Sequence, residues 1–216
     1  MSADTLEMLG QALLETVYMV GLSAVFSVII GSIFAIIMIV TAPDGLHPVK
    51  WLYKVLDVVV NILRSFPFVI LIVVLVPVTR LIVGTSIGTD GSIVPLTVAA
   101  APFVTKVIEG ALREVDPGVI EAAKSFGANN VQIIIRVMVK EAMPSIMSGI
   151  VLTIINLVGY SAMAGAVGGG GLGQLAINYG YQRFQTDITV YTVIILIILV
   201  QLVQGCGDLT YKKLSK

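Results

Sequence analysis

Few side chains in this sequence could do chemistry, and their spacing favours recognition over bond making. One cysteine, Cys206, and one histidine, His47, exclude an intrachain disulfide and a Cys/His zinc site. No acid stands with either in a catalytic constellation, so neither a catalytic residue nor a metal ligand is assigned. Cys206, His47 and Trp51 read as packing or interfacial residues. Gly168, Gly170 and Gly173 satisfy GxGxxG, but they follow an apolar helical stretch instead of opening a strand-to-helix turn. No GxxxxGK run followed by Ser or Thr occurs. The glycines are read instead as allowing close backbone approach to a neighbouring helix or an irregular external turn.

Three constellations remain. Asn156, Tyr160 and Met163 fall at i, i+4 and i+7 and share a helical face, with Ser161 at its edge. An amide deep in an apolar helix needs a partner or water, and two readings stay open. One is glue between helices, where such contacts average about 0.6 kcal/mol. The other is a permeation path offering amide and hydroxyl groups to the polar ends of a solute and soft apolar surface to its body. Asp57 and Arg64, seven residues apart, lie on one helical face but about 10 Å apart along the axis, too far for an ion pair. Their reading is structural, with Arg64 snorkelling to the cytoplasmic interface and Asp57 outside the hydrocarbon. Finally, Asp116-Pro117 is a helix start and Gly127 a helix stop. Between them Val119, Ala122, Ala123 and Phe126 form one apolar face. A helix of under about 12 residues is unstable alone in water, so this one needs something to pack against.

The elements that position these groups are membrane helices. Of 216 residues, 57% are hydrophobic and 12% charged, about half the charge of a soluble domain. A soluble enzyme is excluded, and thirteen basic residues balanced by thirteen acidic ones give no nucleic-acid footprint. A bilayer core about 30 Å thick takes about 20 apolar residues, and five segments approach that length. They are about 16–40, 57–79, 93–114, 147–167 and 188–207, with a charged cytoplasmic loop at about 115–141, all in one transmembrane domain over 1–216. Lone strands in lipid would leave backbone groups unpaired, so the spans are helices and a β-barrel is excluded. Asp4, Glu7 and Glu15 precede the first span without a Lys or Arg, which argues against a cleavable signal peptide. With the N-terminus outside and the C-terminus inside, Lys50, Lys54, Arg64, Lys106, Arg113, Lys124, Arg136, Lys140, Lys212, Lys213 and Lys216 all lie on inner segments. Only Arg80 and Arg183 are then external, as the positive-inside rule requires.

Glu121-Ala122-Ala123 followed by Gly127 resembles the EAA loop of bacterial ABC-importer permeases. Where that family continues with I-x-L-P, this chain reads Val137-Met138-Val139-Lys140, and its next proline is Pro144. Larger blocks are similar to the permease subunits of methionine ABC importers. These are Arg64-Ser65-Phe66-Pro67-Phe68, residues 115–127, and the glycine-rich stretch 157–174 with Tyr179-Gly180-Tyr181 after it. The resemblance implies an all-α integral membrane protein of the type I ABC-importer permease fold, with five transmembrane helices per subunit, in the bacterial inner membrane. It implies as partners a second copy of the chain, two cytoplasmic ABC ATPase subunits and an extracellular or periplasmic methionine-binding protein, with lipid around the spans. ATP and Mg would sit on the ATPase, and no cofactor on this chain. It assigns Glu121, Ala122, Ala123, Phe126 and Gly127 to ATPase coupling. Ser65 and Phe66 join Asn156, Tyr160, Ser161 and Met163 as substrate-pathway candidates.

The competing reading, a secondary transporter or channel for small polar solutes, would need intramembrane coupling groups or a repeated architecture. No convincing repeat is visible, and the long cytoplasmic loop would be left without a role. A membrane-embedded enzyme fails for want of a catalytic cluster.

Overall fold

In a computed structural model, residues 3–214 are described, and they fold as helices joined by short turns. Lys216, counted above among the inner basic residues, lies outside the described residues. Helix α1 spans Ala3–Thr41, so the first expected span occupies only its later part. Inside an apolar medium its hydroxyls turn back on their own helix: Thr16 Oγ1 donates to the Ala12 carbonyl at 2.9 Å, and Thr41 Oγ1 to that of Ile37 at 2.7 Å. Pro43 and a turn closed by the Gly45 N–H on the Ala42 carbonyl end the helix.

The second expected span is not one rod. Helix α2 begins at Lys50, earlier than expected, and stops at Ser65; α3 covers Phe68–Val74, and the two meet at 104°. Pro67 is the cause. A proline disfavours the helical region for the residue before it, and Phe66 accordingly sits at φ −72°, ψ 126°. Pro67 also brings no N–H to the last turn of α2. Helix α4, Val76–Val83, follows and closes on a left-handed Gly84.

Helix α5, Gly88–Arg113, runs through Pro95 and Pro102 and is the centre of the fold. Its residues Leu96, Ala100, Val104, Ile108 and Leu112 recur every four positions and are all buried, a stripe that one helical face presents to its neighbours. They meet Met19, Ala35 and Ile39 of α1, and Ile146 and Leu157 of α7, defined below. Side-chain bulk is removed where backbones come closest. A Cβ at Gly149 would stand 1.8 Å from Val107 Cγ1 of α5, which no real pair of carbons adopts.

Helix α6, Pro117–Ser125, is short. The charged loop expected to reach residue 141 ends much sooner, because α7 runs without interruption from Asn130 to Ala166. Asn129 and Gln132 form a reciprocal capping box at its start. A π-helical stretch over Ile133–Met138 then widens the helix. Lys140 therefore stands inside a continuous helix, and Pro144 is accommodated four residues later. Helix α8, Gly171–Leu175, and a π turn at Ala176–Tyr181 lead to α9, Thr186–Leu214. Val190, Val193, Ile194, Ile197 and Ile198 leave α9 apolar on its open face, as befits a helix in lipid.

Four of these helices are long and apolar enough to cross a membrane, and counting the bent α2–α3 pair as one broken span brings the number to five.

Candidate functional site

The break between α2 and α3 makes a cavity of about 370 Å³ inside the span region. Ser65, Phe66 and Tyr160, named from the sequence, line it together. Asn61, Arg64, Phe68 and Phe103 also line it, with Leu63, Leu71 and Ala99 between them. Phe68 is buried and stacks on Tyr160 with ring centroids 4.9 Å apart and planes 13° from parallel, so α3 is keyed to α7 by an aromatic pair. Ser65 Oγ is committed to the Asn61 carbonyl at 2.8 Å.

Asn156 and Met163 lie one turn to either side of Tyr160 on the same face of α7, both exposed, and neither lines this cavity. Ser161 departs from that face. Its side chain is buried and donates to the Val158 carbonyl at 2.7 Å, so it offers nothing to a path along Tyr160.

The structure also corrects the placement of Arg64. It stands in the last turn of the sixteen-residue α2, about 20 Å along the axis from Lys50, at the break and far from the helix's N-terminal end. Asp57 is not solitary either. Its carboxylate takes the Lys106 ammonium, and Lys106 reaches Glu109 at 2.8 Å. Glu109 is 2% exposed and also accepts from Tyr53 Oη at 3.0 Å and Arg113 Nε at 3.3 Å; Arg113 continues to Asp44 at 3.0 Å. This network pins α2 and the α1–α2 turn to the end of α5 that leads into α6. Lys106 and Arg113 flank Glu109 at i,i+3 and i,i+4 spacing on α5, but the other partners lie up to 69 residues away, so local spacing shows only part of it.

Helix α6 shows the caps expected of it. Asp116 Oδ1 accepts from the Gly118 N–H at 2.7 Å, and Pro117 follows as the first helical residue. At the other end Gly127 has φ +81°, the Ala128 N–H reaches the Ala123 carbonyl and the Gly127 N–H that of Lys124. This is the doubled closure that a left-handed residue after a helix permits. The apolar face divides in two. Ala123, joined by Ile120, packs against the core, while Val119 and Ala122 are exposed and Phe126 is 91% exposed. Glu121 is exposed beside them. Val119, Ala122 and Phe126 are thus exposed apolar residues on one well-capped short helix.

The glycine-rich stretch is an irregular turn and a close-packing element at once. Gly168, Gly170 and Gly171 have positive φ, and the Gly171 and Leu172 N–H groups donate to Glu15 Oε2 and Thr16 Oγ1 of α1 at 2.8 and 2.9 Å.

Comparison with known proteins places this architecture. The model of the family described as binding-protein-dependent transport system inner membrane component matches residues 27–215. The chain belongs to that family. It is 46% identical over 208 residues to the probable D-methionine transport system permease protein MetI of Vibrio cholerae, covering 96% of this chain and 92% of that one. It is 43% identical over 180 residues to the methionine import system permease protein MetP of Bacillus subtilis, covering 83% and 81%. Among solved structures, a chain of the MetNI methionine ABC transporter in an inward-facing conformation superposes with a TM-score of 0.98 at 42% identity, over the full length of both. An amino acid ABC transporter chain at 18% identity and TM-score 0.78 shares the fold. The permease is thus an all-α, multi-pass bacterial membrane protein of the ABC-importer type.

Proposed function

We propose that this permease carries methionine, in the L or D form or both, into the cell by alternating access driven by ATP hydrolysis on separate subunits. The observation that carries the proposal is the full-length likeness to a methionine ABC transporter chain. Two copies of the permease enclose the path. Two cytoplasmic ATPase subunits bind ATP and Mg, and a periplasmic or extracellular binding protein delivers the substrate. The N-terminus faces out and the C-terminus in.

In this reading Glu121, Ala122, Ala123, Phe126 and Gly127 form the coupling element. A rigid, capped helix held in a groove of the ATPase transmits displacement, and α6 meets α7 through Ile120 and Ala123, so its movement reaches the path-lining face of α7. Nucleotide then shifts the balance between inward-open and outward-open states. Ser65, Phe66, Tyr160, Asn156 and Met163 line the path, with ring and thioether surface suited to the methionine side chain. Ser161 supports α7 from behind.

The test is substrate competition. The permease, its ATPase and its binding protein are reconstituted in proteoliposomes and assayed for uptake of labelled L-methionine against excess L-methionine, D-methionine, alanine or glutamine. One or both methionine forms should abolish the signal and the other amino acids should leave it. Equal competition by all four would refute the assignment.

A further inference from the structure

The cavity at the α2–α3 break contains a cation that the fold itself does not use. Lys106 holds two acids, Asp57 and Glu109, and Arg113 holds Asp44 and Glu109. Arg64 has no ion-pair partner among the described residues, although it stands inside a span. Charged side chains at such positions are costly to insert and mark ligand or ion pathways when they face a cavity. Arg64 lines one of about 370 Å³, within the range that takes small molecules.

The walls of that cavity differ in chemistry. Arg64, Asn61 and Ser65 stand on the α2 side, at the end of the helix where Pro67 withholds a backbone donor and the terminal carbonyls form the negative pole. Phe68, Phe103 and Tyr160 face them. A guanidinium beside a carbonyl-rich helix end matches the two charges of an amino-acid headgroup, the fork taking the carboxylate and the carbonyls the ammonium. Aromatic rings opposite favour a sulfur-containing or apolar side chain.

We propose that Arg64 anchors the substrate carboxylate in a transient amino-acid subsite within the membrane, at the α2–α3 break. The subsite rests on the methionine-permease reading and adds to it the group that holds the charged end of the solute. The break lies where α3 keys to α7 through the Phe68–Tyr160 stack, so a bound headgroup sits beside the contact that joins these two helices.

Arg64→Gln and Arg64→Lys are compared with the wild type in proteoliposomes containing the full complex, and both methionine uptake and ATP hydrolysis are recorded. Loss of a charge-assisted contact should lower methionine moved per ATP roughly tenfold or more in Arg64→Gln. Hydrolysis stimulated by the loaded binding protein is read in the same vesicles, so that the ratio separates lost substrate handling from lost ATPase docking. Arg64→Lys, which keeps the charge without the fork, should fall between. Wild-type stoichiometry in Arg64→Gln would overturn the proposal. So would loss of assembly in both variants, which would mark Arg64 as the structural partner of an acid on the second copy. If the wild-type complex moves no methionine at all, the transport reading itself fails and the amino-acid subsite falls with it.

Discussion

Removing Lys106 should harm the permease more than neutralising the far more buried Glu109. Four groups form the inner network: the carboxylates Asp57 and Glu109 and the cations Lys106 and Arg113, which together are neutral. Asp44 adds a fifth charge, but its side chain is 72% exposed and largely solvated. In Glu109→Gln each cation keeps an acid, Lys106 with Asp57 and Arg113 with Asp44, while the amide oxygen can still accept from Tyr53. The loss is about 1–2 kcal/mol, the weakening of two charge-assisted bonds without an orphan. In Lys106→Met no cation remains beside Asp57, and Glu109, 2% exposed, keeps only Arg113 and Tyr53. Breaking a buried pair from one side costs about 3–5 kcal/mol, and the partial exposure of Asp57 places this case near the lower figure. The assay is heat inactivation of the detergent-solubilised complex, followed by size-exclusion chromatography of the surviving assembly. Lys106→Met should lose assembly at a clearly lower temperature than Glu109→Gln. The reverse order would show that burial of Glu109, not charge balance, controls the network.

Gly127→Val forces a β-branched residue to φ +81°, where strain costs on the order of 1–3 kcal/mol. Membrane insertion should persist while ATPase docking or coupling is lost, and normal docking with normal methionine-driven hydrolysis and uptake would contradict the role of α6. Asn156→Leu should reduce uptake with assembly intact; failed assembly with normal transport by the few complexes formed would make Asn156 helix glue. In a Cys206→Ser background, a membrane-impermeant thiol reagent applied to intact spheroplasts should label Asp4→Cys and not Asn129→Cys. The opposite pattern would invert the topology.

What the sequence made legible was local. Uncharged length marked the spans, Asp116 and Gly127 marked the ends of α6, and i, i+4, i+7 spacing placed Asn156, Tyr160 and Met163 on one face. The capping box at Asn129 and Gln132 was readable too, and would have brought the start of α7 forward from about 147 to 130. Pro67 also carried a signal for a break that the reading of 57–79 as one span did not use, and nothing local gives its 104°. The Phe68–Tyr160 stack and the links from Lys106, Glu109 and Arg113 to Asp57, Tyr53 and Asp44 join residues distant in sequence, and only tertiary packing around α5 creates them. Arg64 was misplaced for the same reason. Position in a helix was legible, but the cavity beside it was not.

The central claim is tested most directly by accumulation. Proteoliposomes containing the permease, its ATPase and its binding protein are given labelled methionine with ATP and Mg on the ATPase side, with and without ionophores that collapse every ion gradient. The account predicts uptake that concentrates methionine against its gradient, requires hydrolysable ATP and is unaffected by the ionophores. Accumulation without ATP that the ionophores abolish would contradict it and return the chain to the class of secondary transporters.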